Sequence, residues 1–261
     1  MRPRHLWGLI ALVAAGCNRN RATEVEPAHP NMVALSVAPS AVDSLWRQAV
    51  GDFREGDWKQ ARKTFERLNL SLPPGDPRAP HSHFFLAECL LAQGENLQAT
   101  REFRKVSDEY PTDSLAPEAL LRTGDAYLEL WRRPELDPTY GQNALATYQE
   151  VVSRYPGTSA AARAEKRVDE LNDKFAYKSY KAALYYYRLK AYDSAILYLK
   201  DLLSSYPKSA IAGDALVKLV HSYHAIGYQE DLKDTCDYLR QYHPETHGAD
   251  DVCPAPSPGA S

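Results

Sequence analysis

The sequence predicts an all-α fold, a right-handed solenoid of about five helix pairs, on three observations. First, apolar segments end on the same dipeptide at Tyr110-Pro111, Tyr155-Pro156 and Tyr206-Pro207. Proline has no N–H and drives the residue before it out of the αR region, so each pair reads as a helix stop. Second, a small or apolar anchor stands twelve residues before each of five prolines: Ala61 before Pro73, Ala99 before Pro111, Ala144 before Pro156, Ala195 before Pro207 and Leu232 before Pro244. Four residues after the anchors come Phe65, Phe103, Tyr148, Leu199 and Cys236, and three further on Leu68, Val106, Val151, Leu202 and Leu239. Spacings of four and three put each set on one helix face. Third, another amphipathic segment precedes each anchor, and the joins at Gly56, Gly94, Lys190 and Gly227 read as tight helix–helix turns.

In chain order, MRPRH supplies a basic start and LWGLIALVAA an apolar run too short to span a bilayer as a mature helix. Ala15-Gly16-Cys17 then resembles a bacterial lipoprotein signal, with Ala14 where Leu is usual. The resemblance implies removal of residues 1–16 and a lipid on Cys17; an ordinary secretory signal that contains a cysteine is the other reading. Asn18, rather than Asp, after the cysteine implies delivery to the outer membrane. Residues 17–40 are polar, carry Pro27, Pro30 and Pro39, and read as a flexible tether. The repeats occupy 41–244, with anchor-to-anchor distances of 38, 45, 51 and 37 residues. The 45 comes from an insertion, WRRPELDPTYGQN, which Pro134 and Pro138 keep from being helical. The 51 comes from Ser159 to Leu189, where no Gly or Pro interrupts an apolar stripe through Ala164, Val168, Leu171, Phe175, Ala182, Tyr186 and Leu189. One helix of about 30 residues, about 45 Å long, is expected there. Residues 245–261 are expected to be a disordered tail.

Composition and motifs exclude several functions. A formal net charge of −3 leaves no excess of Lys and Arg to neutralise phosphates, which argues against nucleic acid as a partner. No glycine-rich phosphate loop, serine elbow or HExxH motif occurs, so a non-catalytic protein without cofactor is expected. His81 and His83, two apart, face different sides of a helix; His221 and His224 share a face but lack a third ligand at metal-like spacing. Cys89 reads as a small core residue. Either Cys236 and Cys253 are bridged, pinning the tail in an oxidising compartment, or they are two free thiols.

The repeating unit resembles the tetratricopeptide repeat, a helix–turn–helix unit with a small residue early in its second helix and a proline at its end. The resemblance covers about Ala41 to Pro244, although every interval exceeds the usual period of about 34 residues. It implies a groove lined by the first helices of successive repeats, open to an extended peptide or a helix. Placed on the template, that face holds Asp43, Trp46, Val50 and Phe53 in repeat one and His81, Phe84, Glu88 and Leu91 in repeat two. Trp46 and Phe84 are expected to point into the groove, while Phe53 and Leu91 suit the groove and the inter-repeat core equally.

A lipid anchor, a short tether and five repeats, with RRPELDPTYGQNALATYQEVVSRYPGT as a third-repeat insertion and a long fourth-repeat helix bearing Tyr185-Tyr186-Tyr187, resemble the BamD family of outer-membrane β-barrel assembly lipoproteins. The resemblance implies a lipid-anchored adaptor on the periplasmic face of the outer membrane. Its amino-terminal repeats would read aromatic-ended signals of unfolded outer-membrane proteins, and its carboxy-terminal repeats would dock on a POTRA domain of the barrel subunit BamA. The alternative is a pilotin-like tetratricopeptide lipoprotein escorting a secretin or pilus component.

Overall fold

A computed structural model describes residues 39–253, with side chains from residue 41, and no β-strand occurs among the described residues. Ten main helices form five pairs: α1 (Pro39–Arg54) with α2 (Trp58–Ser71), α3 (Ala79–Ala92) with α4 (Asn96–Glu109), α5 (Ala116–Leu130) with α6 (Thr139–Arg154), α7 (Ser159–Arg188) with α8 (Tyr192–Ser205), and α9 (Ala212–Ile226) with α10 (Gln229–Tyr242). A short α11 (Ala249–Val252) follows. Each helix packs mainly on its neighbours in the chain, and beyond these α5 touches α7 and α7 touches α9. Contacts of this nearest-neighbour kind are those of a solenoid of stacked helix pairs.

The anchors explain the pairing. Ala61, Ala99, Ala144 and Ala195 are all fully buried, and Leu232 nearly so. A methyl side chain at that position lets the second helix of a pair approach the first closely, and the buried Phe65, Phe103, Tyr148, Leu199 and Cys236 one turn on fill the space beyond it. Burying one such ring or leucine stabilises the stack by about 1.5–3 kcal/mol. The second helices then stop where the prolines require. Tyr110, Tyr155 and Tyr206 cap α4, α6 and α8 in non-helical backbone, each N–H still donating to the carbonyl four residues back, in Val106, Val151 and Leu202. The Tyr206 ring lies nearly parallel to Phe175 of α7, 6.4 Å away, and packs against both the middle core cluster and the one that holds the next repeat's α9.

Turns within the pairs need a left-handed residue. Gly56, Gly94 and Gly227 supply it at φ +77°, +77° and +79°, and Lys190 takes the same region at +58°, where a side chain raises the cost. Between pairs, aspartates close the turns: Asp76 Oδ1 accepts from the Arg78 N–H at 2.9 Å and Asp113 Oδ1 from the Leu115 N–H at 2.8 Å. Helix α7 runs 30 residues through Asn172 and Asp173 without a break, as its uninterrupted sequence requires. Its first part, with Leu171 and Phe175, belongs to the core of the middle repeats, and Ala176, Tyr180 and Ala183 belong to the core of the last two.

The tail departs from expectation. Order extends past residue 245: Gly248, left-handed at φ +80°, starts α11, and Ala249 and Cys253 are buried against the last repeats. The physical reason is covalent, since Cys253 is bonded to Cys236 of α10, which holds α11 against α9 and α10.

Candidate peptide-binding groove

The first helices of four successive repeats converge on one cavity of about 660 Å³. Phe53 of α1 and Trp58 at the start of α2 form its apolar end with Leu91 of α3; Leu128 of α5 adds another apolar wall. Polar side chains complete it: Glu88 of α3, Arg122, Asp125 and Glu129 of α5, Arg132 just after α5, and Arg167 of α7.

Glu88, Arg122, Asp125 and Arg167 form one connected chain, and Arg132 pairs separately with Glu129 at 3.1 Å. Arg122 grips Glu88 with two nitrogens, Nε and Nη2, both at 2.7 Å, and reaches Asp125 through Nη1 at 3.2 Å. A two-pronged guanidinium–carboxylate pair of this kind fixes geometry as well as charge. The Tyr148 hydroxyl donates to Asp125 Oδ1 at 2.8 Å, and Arg167 lies 3.6 Å from the same oxygen while donating to Glu170 at 2.9 Å. Glu88 raises the Arg122 pKa against the opposing effect of burial, so the guanidinium stays charged. Burial first, and then Asp125, pushes the Tyr148 hydroxyl well above its usual range, which keeps it a donor. The floor therefore presents paired donors and acceptors between apolar walls, suited to holding a polypeptide backbone beside a buried side chain.

The structure brings together three of the eight residues expected in the groove: Phe53, Glu88 and Leu91. The expectation for Trp46 and Phe84 is corrected. Trp46 lies 6.3 Å from Phe65 and 6.4 Å from Phe85, and Phe84 lies edge-on to Phe103 at 5.4 Å, so both pack inward, with Val50, against the first core cluster. A ring with several aromatic neighbours gains more from that cluster than from a wet groove. Asp43 instead pairs with Arg78 across the first two repeats at 2.6 Å, and half-buried His81 lies outside the cavity.

Arg122, Asp125 and Arg167 were missed, although a signal existed. Helix α5 starts 37 residues after α3, and Asp125 and Leu128 follow Glu88 and Leu91 by that interval. The insertion after α5 lengthens the spacing of the second helices and hides that regularity in the first helices. Of the other singled-out residues, Cys236 and Cys253 are bridged, while Cys89 is buried and its thiol is pushed up to about 12, chiefly by burial. His221 is held below its usual pKa by burial, then by Lys218 and His224. Among the described residues no cluster of His, Cys, Asp or Glu is arranged to hold a metal, and no helix is long and apolar enough to cross a membrane. Cys17 lies outside the described residues.

Comparison with known proteins places this architecture. The chain is similar to the outer membrane protein assembly factor BamD of Xylella fastidiosa (strain 9a5c), 26% identical over 264 residues that cover 94% of this chain and 84% of that protein. It is similar to the factor of the same name from Vibrio cholerae, 27% identical over 252 residues, covering 90% and 96%. Among solved structures it resembles the tetratricopeptide domain of P58(IPK), with a TM-score of 0.43 and 17% identity over 80% of this chain and 53% of that one. The family model YfiO, described as an outer membrane lipoprotein, matches residues 40–239, from α1 into α10. The chain belongs to this family of outer membrane lipoproteins.

Proposed function

We propose that the chain is a non-catalytic adaptor in outer-membrane protein assembly, tethered by a lipid on Cys17 to the periplasmic face of the outer membrane. Its relatives carry the name of outer membrane protein assembly factor, which supports the general role. The finer reading is that the amino-terminal groove holds the carboxy-terminal segment of an unfolded outer-membrane protein while the carboxy-terminal repeats dock on a POTRA domain of a BamA-like barrel subunit.

One observation carries the first half: a single cavity offers Trp58, Phe53 and Leu91 at one end and the guanidiniums of Arg122, Arg132 and Arg167 along the rest. A peptide that ends in an aromatic residue presents a ring and an α-carboxylate close together, which matches that pairing. Burying the ring is worth about 1.5–3 kcal/mol. Because Glu88 and Asp125 already pair with Arg122 and Arg167, and Glu129 with Arg132, the carboxylate gains little beyond partner exchange, so binding should be weak and quickly reversible. That suits a factor which passes its client onward. For the second half, Tyr185, Leu189 and Leu197 leave apolar surface exposed around the α7–α8 turn.

The test is fluorescence anisotropy with a labelled peptide ending in phenylalanine. Replacing both Trp58 and Leu91 by Ala should weaken binding about tenfold or more, with helicity and co-purification of the barrel subunit unchanged. Equal affinity in the double variant contradicts the groove reading. A secretin, rather than a POTRA-bearing barrel protein, recovered with the tagged chain from solubilised membranes contradicts the assembly reading.

A further inference from the structure

The loop between α5 and α6 begins at the groove with Arg132, and its fixation has an unusual source. The Lys178 ammonium of α7 donates to three successive backbone carbonyls of that loop: Pro134 at 2.9 Å, Glu135 at 3.3 Å and Leu136 at 2.8 Å. An ammonium has three N–H groups, and here all three meet carbonyls that the prolines prevent from entering a helix. One turn earlier on the same face of α7, Phe175 stacks on the buried Trp131 with ring centroids 4.6 Å apart. Gly141 of α6 faces that indole so closely that a Cβ there would run into it. The loop is therefore held at two points by one helix, a ring under Trp131 and a cation under residues 134–136. Arg132, which lines the cavity, lies between them.

We propose that Lys178 is a positioning residue of the groove: it closes the carbonyl cradle of the 134–136 turn and so fixes Arg132 at the groove's rim. The inference rests on the peptide-binding reading of the cavity and assigns this lysine, outside the cavity, a part in it. Lys178 touches no ligand. Its effect passes through a loop with one internal backbone hydrogen bond, Leu136 N–H to Arg133 O at 3.1 Å. Two local side-chain ties hold its ends, Arg132 to Glu129 at 3.1 Å and the Thr139 N–H to Asp137 at 2.9 Å, so the middle, residues 134–136, depends on the lysine. Charge-assisted bonds to carbonyls are stronger than neutral ones, and a preordered rim lowers the ordering cost of binding.

The experiment compares the full mature chain with Lys178→Met, which keeps the stem and removes the ammonium, and Lys178→Arg, which keeps charge and donors. Lys181→Met, on the same helix beside the Tyr177 ring, serves as control. Hydrogen exchange of the amides of Arg133, Glu135, Leu136, Asp137 and Thr139 reads the clasp, and anisotropy with the phenylalanine-ended peptide reads the groove. Lys178→Met should speed exchange in the loop about tenfold or more and weaken the peptide about three- to tenfold. Lys178→Arg should restore most of both, and Lys181→Met should change neither, at constant helicity. Unchanged loop exchange in Lys178→Met overturns the clasp. Faster exchange with unchanged affinity overturns its role in the groove. Failure of the unaltered chain to bind the peptide overturns the peptide reading itself and with it the groove role, while loop exchange still reports on the clasp.

Discussion

The first three repeats and the last two share one helix-pair architecture but are joined by different forces. Through the amino-terminal part, ion pairs step from each repeat to the next: Asp43 to Arg78 at 2.6 Å, Arg62 to Glu95 at 2.5 Å, Glu88 to Arg122 at 2.7 Å and Arg104 to Glu150 at 2.8 Å. Arg154 reaches back to Asp108 at 3.2 Å, and α7 is tied to α5 by Arg163 with Glu118 and Arg167 with Asp125. The last two repeats add links of other kinds: Tyr186 stacks on Tyr198 at 5.0 Å, Tyr223 on Tyr228 at 6.2 Å, and Cys236 is bonded to Cys253. Solvated ion pairs are each worth little and are screened by salt, whereas a disulfide is insensitive to salt and vulnerable to reductant. The first repeats thus carry a run of weak polar links beside the polar groove, and the last two carry stacked tyrosines and one covalent link beside exposed apolar surface.

The largest effect that sharpens this contrast comes from removing the bridge. Substituting Ser at Cys236 and Cys253 should destabilise by about 3 kcal/mol for a loop of this length, 17 residues. Hydrogen exchange should rise in α9 to α11 and stay unchanged in α1 to α6; equal rises in both would erase the distinction. Next comes the core, which is alike in both halves. Ala99→Leu and Ala195→Leu should each overpack a fully buried anchor and cost about 1–3 kcal/mol in thermal or urea melts. A silent change at either site means that its helix pair is not closely apposed.

Acid should separate the two regions by pH. His221 has a depressed pKa in the fold, so its contribution is complete above the ordinary value near ~6.5 and is lost as pH falls through the folded value. Burial alone would raise the Glu150 carboxyl; Arg104 and Arg154 outweigh it and hold the group below the ordinary range. Glu150 therefore contributes fully above ~4.3 and loses its contribution only as pH falls further. Near-UV dichroism of the tyrosines should change first on acidification, and the emission of Trp46, Trp58 and Trp131 later; the reverse order contradicts the assignment. The smallest effect is that of a single ion pair. A double-mutant cycle on Arg104 and Glu150, both partly exposed, should give a coupling of about 0.2–1 kcal/mol that shrinks toward zero at high salt.

How legible this was in the sequence follows the same division. Anchors, helix stops and the long α7 were readable because sterics act locally: a buried Ala, a Pro, an absence of Gly. The site was readable only where the period held. Phe53, Glu88 and Leu91 emerged from the template, whereas Asp125 sat one period after Glu88 and was obscured by the insertion that follows it, and Arg122 lies off that register. Trp46 and Phe84 were misplaced because facing a groove or facing Phe65, Phe85 and Phe103 is decided by rings distant in sequence. Order in the tail depended on a bond between Cys236 and Cys253 that spacing left open, and the Lys178 cradle on carbonyls that no side-chain pattern reveals.

The division of labour between the two regions is the central claim, and site-specific photo-crosslinking tests it most directly. A benzophenone side chain replaces Leu91 in the groove or the exposed Leu197 of α8, in the full-length chain in membranes. The account predicts that position 91 captures unfolded outer-membrane proteins and position 197 captures a POTRA-bearing barrel subunit. Capture of the same partner at both positions, or of the barrel subunit at 91 and clients at 197, would contradict it.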